Sequence, residues 1–362
     1  MIPLIEPDLS GNELKYITDC IKSKWISSRG SYVKEFENKF SEYCNTSYGI
    51  STSNGTKALH LALTALGIGK DDEVIVPDLT FAATANVVLY CGAKPILVDV
   101  NRDTWCIDVS KIEDAITKKT KAIIPVHLYG HPCDMGKIME IARKHNLFVV
   151  EDAAEAHGAE YKGRKVGSIG DIGCFSFYGN KIITTGEGGM CVTNDEKLSE
   201  KMDLLKNHGM RKERIYWHDI VGYNYRMTNM QAAIGLAQLE RIEFFVDRKR
   251  EIARLYNSKL RDANHLILPK EQTWAKNVYW LYSVLINDKF KLTRDELIER
   301  LKNNGIDTRP LFYPLHSMPP YKSEGNFSVS DFLSKNGISL PSFINISEDQ
   351  MNKILSVLLD LN

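Results

Sequence analysis

The 362-residue chain lacks several things whose presence would decide its class. It has no surplus of charge: Lys plus Arg and Asp plus Glu balance at 46 each. Most nucleic-acid-binding proteins show a basic excess, so that class loses support, although a local basic pocket for a phosphorylated ligand stays compatible with the balance. It lacks long hydrophobic runs, since none reaches the roughly 20 apolar residues of a spanning helix. Residues 1–7 show no basic region followed by an apolar run, so no signal peptide is expected. Cysteine occurs at seven scattered positions with no Cys-x-x-Cys pair. That pattern offers no metal site and fits reduced thiols in a cytoplasmic protein. Also missing are Gly-x-Gly-x-x-Gly after the first expected strand and the Gly-x-x-x-x-Gly-Lys-Ser/Thr phosphate loop. Dinucleotide and nucleoside-triphosphate readings therefore lose their best support. Internal repeats and low-complexity tracts are absent as well.

What is present is an ordinary globular composition, 43% apolar, in a chain long enough for two domains. Amphipathic helices are expected at 11–22 and 33–43, joined by a linker, Trp25-Ile26-Ser27-Ser28-Arg29-Gly30, too apolar at its start to be an idle loop. It could cover a site or a subunit neighbour. A regular alternation then begins. Strands are expected at 73–77, 95–100, 121–126, 147–151, 174–177 and 189–193. Helices are expected at 57–66, 81–90, 108–116, 135–145 and 196–206. Continuous Val/Ile runs alternating with helices predict an α/β fold with a mostly parallel sheet covered on both faces. One long helix is expected over 228–260, then a strand at 279–286, a helix at 294–303 and an amphipathic end at 343–361. The reading divides the chain into a large domain, 1–250, and a smaller α+β domain, 251–362.

Two segments carry the chemistry. Phe175-Ser176-Phe177-Tyr178-Gly179-Asn180-Lys181 reads as a strand and turn ending on a lysine, with a Gly-rich exit at 186–189. Such a lysine is either a solvated loop residue or a nucleophile. Val149-Val150-Glu151-Asp152 reads as an apolar strand ending in an acid, where a doubly wound sheet presents catalytic groups. Asp152 is read as the buried acid and Glu151 as a solvated flank. A buried acid and a lysine in one crevice are what pyridoxal phosphate requires. Ser53-Asn54-Gly55-Thr56 precedes a helix, as a phosphate seat or a plain N-cap. Ser176 could offer a hydroxyl to the same phosphate, and Phe81 could lie on an aromatic ring or in the core. His157 and His208 have no partner at telling spacing. His316 sits in a proline-fixed loop, where it could bind a ligand. Asn224 and Arg226 precede the long helix, as ligand groups or as a capping turn.

Taken together, Trp25-Ile26-Ser27-Ser28, Asn54-Gly55-Thr56, Glu151-Asp152-Ala153-Ala154-Glu155-Ala156, the Lys181 segment, Gly222-Tyr223-Asn224-Tyr225-Arg226 and Pro314-Leu315-His316 make the chain resemble the DegT/DnrJ/EryC1/StrS sugar aminotransferases. The likeness runs nearly end to end and is strongest to the subgroup that forms GDP-perosamine. It implies fold type I, the aspartate-aminotransferase fold, and pyridoxal phosphate as cofactor. It implies Lys181 as the Schiff-base lysine and proton shuttle, Asp152 on the pyridinium nitrogen, and Gly55, Thr56 and Ser176 on the phosphate. Phe81 and Ala154 would face the ring. Asn224 would reach the phosphate of a neighbouring subunit in a homodimer. Arg226 and His316, with Trp25, would meet the substrates. Glu155 departs from the glutamine many members carry beside the cofactor's phenolic oxygen, where an ionised carboxylate would repel a phenolate. The implied reaction moves the amino group of L-glutamate to C4 of a nucleotide-linked 4-keto-6-deoxy sugar, in the service of surface-glycan synthesis such as O-antigen. The alternatives are a UDP- or dTDP-linked keto sugar, giving a viosamine-type product, and a cofactor-binding regulator without turnover.

Overall fold

The computed structural model describes residues 1–211 and 213–359. Two helices, α1 (Glu13–Ser23) and α2 (Ser31–Tyr43), precede the sheet. Its elements follow in chain order as β1 (Tyr48–Thr52), α3 (Gly55–Leu66), β2 (Glu73–Pro77), α4 (Ala83–Tyr90), β3 (Lys94–Val98), β4 (Thr120–Ile123), α5 (Met135–His145) and β5 (Phe148–Asp152). After a short hairpin of β6 (Glu160–Tyr161) and β7 (Arg164–Lys165) come β8 (Ile172–Ser176), β9 (Gly189–Thr193) and α6 (Glu196–Lys206). The seven-stranded sheet has the order β1-β9-β8-β5-β4-β2-β3. Only β9 runs against the rest: it is antiparallel to both β1 and β8, while β8, β5, β4, β2 and β3 are parallel neighbours.

Side-chain alternation explains the apolar runs. Successive strand residues point to opposite faces, and both faces are covered. Ile75 and Val149 join the core under α2 and α5. Their neighbours Val74, Val76 and Val150 join the core under α3 and α4.

The rest of the chain comprises α7 (Asn229–Leu239), α8 (Ile242–Leu260), β10 (Leu266–Ile267), β11 (Ala275–Lys276), β12 (Tyr282–Ile286), α9 (Arg294–Asn303), β13 (Arg309–Pro310), α10 (Ser328–Asn336), β14 (Gly337–Leu340) and α11 (Glu348–Leu359). A four-stranded sheet, β10-β12-β14-β13, forms here, over its own core of Tyr256, Tyr282, Ile338 and Ile354.

Three expectations are corrected. The single helix over 228–260 is two helices, broken at Glu240–Arg241, where Arg241 takes φ −115°. The break is tethered from outside. Glu240 accepts hydrogen bonds from Asn12 and Tyr16, and Arg241 binds Asp8 at 2.8 Å. Apolar periodicity continues across such a break and does not report it. The helix over 108–116 is a pair of 3-10 turns, Val109–Lys111 and Glu113–Ala115, with Ile116 already extended at ψ 130°. The strand at 279–286 begins at Tyr282, because Tyr279 is left-handed with φ 47°. All five of its residues are buried.

Candidate active site

The ends of β1, β2, β5 and β8 and the start of the reversed β9 meet at one edge of the sheet. In register, Gly189 faces both Thr52 and Ser176. This is where an open α/β sheet presents its ligand site.

At the start of α3, Asn54 caps the helix, its side chain accepting from Lys57 N–H at 2.9 Å and its carbonyl from Ala58 N–H at 3.1 Å. First-turn amides such as those of Gly55 and Thr56 have no intrahelical acceptor and attract an anion. Gly55 is required by packing: a Cβ there would lie 2.6 Å from Ser176 Cβ. Gly55, Thr56 and Ser176 therefore form one corner.

Asp152, at the end of β5, is buried. Its Oδ2 accepts from the Thr84 hydroxyl at 2.8 Å and its Oδ1 from Ala154 N–H at 3.2 Å. Burial raises its pKa despite these bonds and the pull of Lys181. An ionised Asp152 thus wants a cation close by, and a protonated pyridine nitrogen is one.

Lys181 stands on the loop between β8 and β9. Its Nζ lies 3.8 Å from the centroid of the Trp280 ring and 3.9 Å from Glu155 Oε1, beyond hydrogen-bond range. Burial lowers the lysine's pKa, with Glu155 and Asp152 opposing. Glu155 moves the other way. Burial pushes it up to about 7, although Lys181 and the Tyr129 N–H, 2.8 Å from its Oε2, draw it down. Burial thus weakens both the acid and the ammonium, across a gap too long for a hydrogen bond between them. Trp280, Tyr129 and Phe312 stack in a row, with centroids 6.1 and 5.3 Å apart, and Phe81 follows at 5.8 Å.

The resulting cleft, about 360 Å³, is lined by Gly55, Thr56, Phe81, Asp152, Ala154, Glu155, Ser176 and Lys181, together with Thr80, Asn180, Glu187, Trp280 and Phe312. All the expected cofactor residues but one are therefore gathered. The exception, Asn224, pairs with Asn207, and its Oδ1 accepts from Arg226 Nε at 3.0 Å. Arg226 lines a separate hollow with Arg29 and Lys206. Trp25 is 55% exposed, away from the cleft lining. His316 is held by Asp78, whose carboxylate takes both its backbone N–H and its Nδ1 at 2.8 Å, and it stacks on Phe327.

One sequence expectation is overturned. Glu151 is no solvated flank but fully buried, since β5 is covered on both faces. It accepts hydrogen bonds from His127 and from the amides of Gly167, Ile169 and Gly170. His157 is buried against Phe40, Phe175 and Phe177. Burial pushes its pKa down to about 3, so it is a neutral ring in the core. Thr84, Tyr129, Trp280 and Phe312 escaped the sequence reading. Only Tyr129 had a signal, inside Val126-His127-Leu128-Tyr129-Gly130.

These residues fit pyridoxal phosphate: an anion seat at α3, a buried acid in want of a cation, an exposed ring at Phe81 and an amine of lowered basicity. Among the described residues no group of three His, Cys, Asp or Glu could hold a metal ion, and no helix is long and apolar enough to cross a membrane.

Comparisons with known proteins show what the chain is similar to. The chain is similar to GDP-perosamine synthase of Escherichia coli O157:H7, 51% identical over 352 residues, covering 97% of this chain and 95% of the relative. It is similar to GDP-perosamine synthase of Caulobacter vibrioides, 48% identical over 99% of this chain and 97% of the relative. Among solved structures it is similar to a sugar-aminotransferase-like protein of Streptococcus pneumoniae in its PLP form, with TM-score 0.93, 29% identity, and coverage of 100% of this chain and 99% of that one. The family profile described as DegT/DnrJ/EryC1/StrS aminotransferase matches residues 7–359, and the chain belongs to that family.

Proposed function

We propose that the protein uses pyridoxal phosphate to move the amino group of L-glutamate to C4 of a nucleotide-linked 4-keto-6-deoxy sugar, with GDP-4-keto-6-deoxymannose as acceptor and GDP-perosamine as product. The observation that carries this is the meeting of Lys181, Asp152 and the α3 start in one cleft, in a chain whose relatives include enzymes of that name. When bound, pyridoxal phosphate supplies an electrophilic carbon and an electron sink for charge developing on the substrate.

The residues of this chain then have distinct tasks. Gly55, Thr56 and Ser176 hold the phosphate, and Asp152 keeps the ring nitrogen protonated. Phe81 and Ala154 confine the two ring faces. Lys181, its basicity lowered by burial, takes a proton from one substrate carbon and returns it to another position. Glu155 keeps or releases a proton beside the phenolic oxygen. The aromatic row excludes water from Lys181.

Asn224 stands outside the lining of its own cleft, which supports a homodimer in which it completes the partner's phosphate seat. Arg226, Trp25 and His316 would meet the amino donor or the nucleotide sugar across that boundary. A division into domains 1–250 and 251–362 is supported by the seven- and four-stranded sheets lying one in each part; a third, small sheet, β11-β6-β7, links the two parts, and the boundary falls inside α8.

The decisive experiment offers GDP-, UDP- and dTDP-linked 4-keto-6-deoxy sugars with glutamate and follows amine gain by mass spectrometry. Turnover of the UDP or dTDP compound alone would replace the GDP assignment. The purified protein is expected to absorb visible light through its bound cofactor, and Lys181→Ala to lose that band. A protein colourless even with added cofactor would sink the proposal.

A further inference from the structure

His127 and Glu151 form a fully buried pair outside the cleft lining. Side-chain alternation sets Glu151 on the face of β5 opposite Asp152. Its Oε1 accepts from Ile169 and Gly170 N–H at 2.7 Å each. Its Oε2 accepts from Gly167 N–H at 2.8 Å and meets His127 Nε2 at 3.0 Å. The second ring nitrogen of His127, Nδ1, accepts from Cys133 N–H at 3.0 Å. That bond assigns the hydrogen to Nε2, so the imidazole is neutral and donates to an ionised Glu151. A carboxylate satisfied by four donors is suited to hold geometry.

The geometry it holds is the turn that follows. His127 N–H donates to Asp152 O at 3.1 Å, and His127 O accepts from Gly130 N–H at 3.2 Å. Between them Tyr129 is left-handed, with φ 52°, a conformation a bulky residue keeps only when its surroundings over-determine it. In that conformation the Tyr129 N–H meets Glu155 Oε2 at 2.8 Å. Its ring lies between Trp280 and Phe312, and its hydroxyl oxygen accepts from Phe312 N–H at 3.1 Å.

We propose that His127 and Glu151 are positioning residues for the reaction centre: they hold the turn at 126–131 so that the Tyr129 amide grips Glu155 beside Lys181. The inference rests on the cofactor reading above. The charged and titratable groups facing Glu155 are Lys181, Asp152, Tyr129 and Cys106, and changes at His127 or Glu151 leave all four in the sequence.

The test is the pH dependence of visible absorbance in the protein loaded with pyridoxal phosphate. Wild type is expected to show a step from the titration of Glu155, and Glu155→Gln to lose it. His127→Gln and Glu151→Gln are expected to move the midpoint up by about one pH unit or more, the effect of losing an amide bond to a carboxylate. Folded His127→Gln and Glu151→Gln proteins with a wild-type midpoint would overturn the proposal, as would an unchanged step in Glu155→Gln. Where neither pair variant folds, hydrogen exchange decides. The Tyr129 amide is expected to exchange slowly in wild type and at least about tenfold faster in Glu155→Ala; a fast wild-type amide overturns the proposal. A wild type with no visible band overturns the cofactor reading instead, and the exchange measurement still judges this inference.

Discussion

The ammonium of Lys181 lies over the face of Trp280, 3.8 Å from the ring centroid. The same indole donates its N–H to Asn180 O at 2.7 Å, so one side chain grips both the lysine and the backbone that carries it. The contact favours the charged amine while burial disfavours it. Trp280→Leu is expected to lower the Lys181 pKa further, by about one unit for a contact of roughly 1–2 kcal/mol. The pH dependence of Lys181 acylation in cofactor-free protein, read by peptide mass spectrometry, checks this. An unshifted midpoint would show that the ring only fills space.

Asp152 depends on Thr84 for one of its two hydrogen bonds. Thr84→Val keeps the shape and removes the hydroxyl, a loss of roughly 1.5–3 kcal/mol for a bond to a charged group. Amino-group exchange between glutamate and cofactor is expected to slow by about 10- to 100-fold. Asp152→Asn, which removes the charge itself, is expected to slow it more. Stopped-flow absorbance separates the two, and equal rates for both variants would deny Asp152 its electrostatic role.

Lys249 is buried in α8 with its Nζ 2.6 Å from Ser342 O and no carboxylate partner among the described ion pairs. Burial pushes its pKa down from 10.5 to about 7. Between those values the unfolded chain holds a proton that the folded chain does not, so stability rises with pH there. Lowering the pH from 10.5 to 7 therefore removes stability, on the order of 4 kcal/mol, and nothing more is lost from this group below that. Lys249→Met is expected to flatten the dependence. Urea melts of both proteins at pH 6, 7.5 and 9 check it; identical slopes would exclude the lysine as the source.

Lys181→Ala and Asn224→Ala disable different halves of a shared site if the cofactor phosphate is held across a dimer. Each is expected to be nearly inactive alone. A mixed dimer with one variant in each subunit keeps one intact site, and is expected to recover about half the activity of wild type. Differently tagged, co-purified subunits give the measurement. Inactive hybrids would place both residues in the same subunit's chemistry.

What the sequence revealed follows from what each residue depends on. The parallel sheet was legible because Val149 and Val150 are both buried on opposite faces, which writes a continuous apolar run. Asp152 and Gly55 were legible because they sit at a strand end and a helix start, positions with local signatures; Lys181, in the loop after β8, was legible as the lysine of a turn with a Gly-rich exit and through the resemblance. Glu151 was misread because its partners, His127 and the amides of Gly167, Ile169 and Gly170, lie far from it along the chain, and backbone amides carry no side-chain signal. The break at Arg241 was invisible because its cause is Asp8, more than two hundred residues away. Trp280 had no local mark, since only the folded chain lays it under Lys181.

The reversal of β9 fixes how Lys181 can move. Because β9 starts at the edge where β8 ends, the loop between them is pinned at both feet: Phe177 N–H donates to Gly188 O at 2.8 Å and Thr185 N–H to Phe177 O at 2.9 Å. Side-chain bonds tie its interior, with Thr184 Oγ1 on Phe177 O and Thr185 Oγ1 on Glu187 O. A loop so tied does not swing as a lid. The amine travels instead by rotation about its own four methylenes, on the picosecond-to-nanosecond scale of side-chain hops. In the proposed reaction, proton delivery by Lys181 would therefore not wait on slow backbone motion.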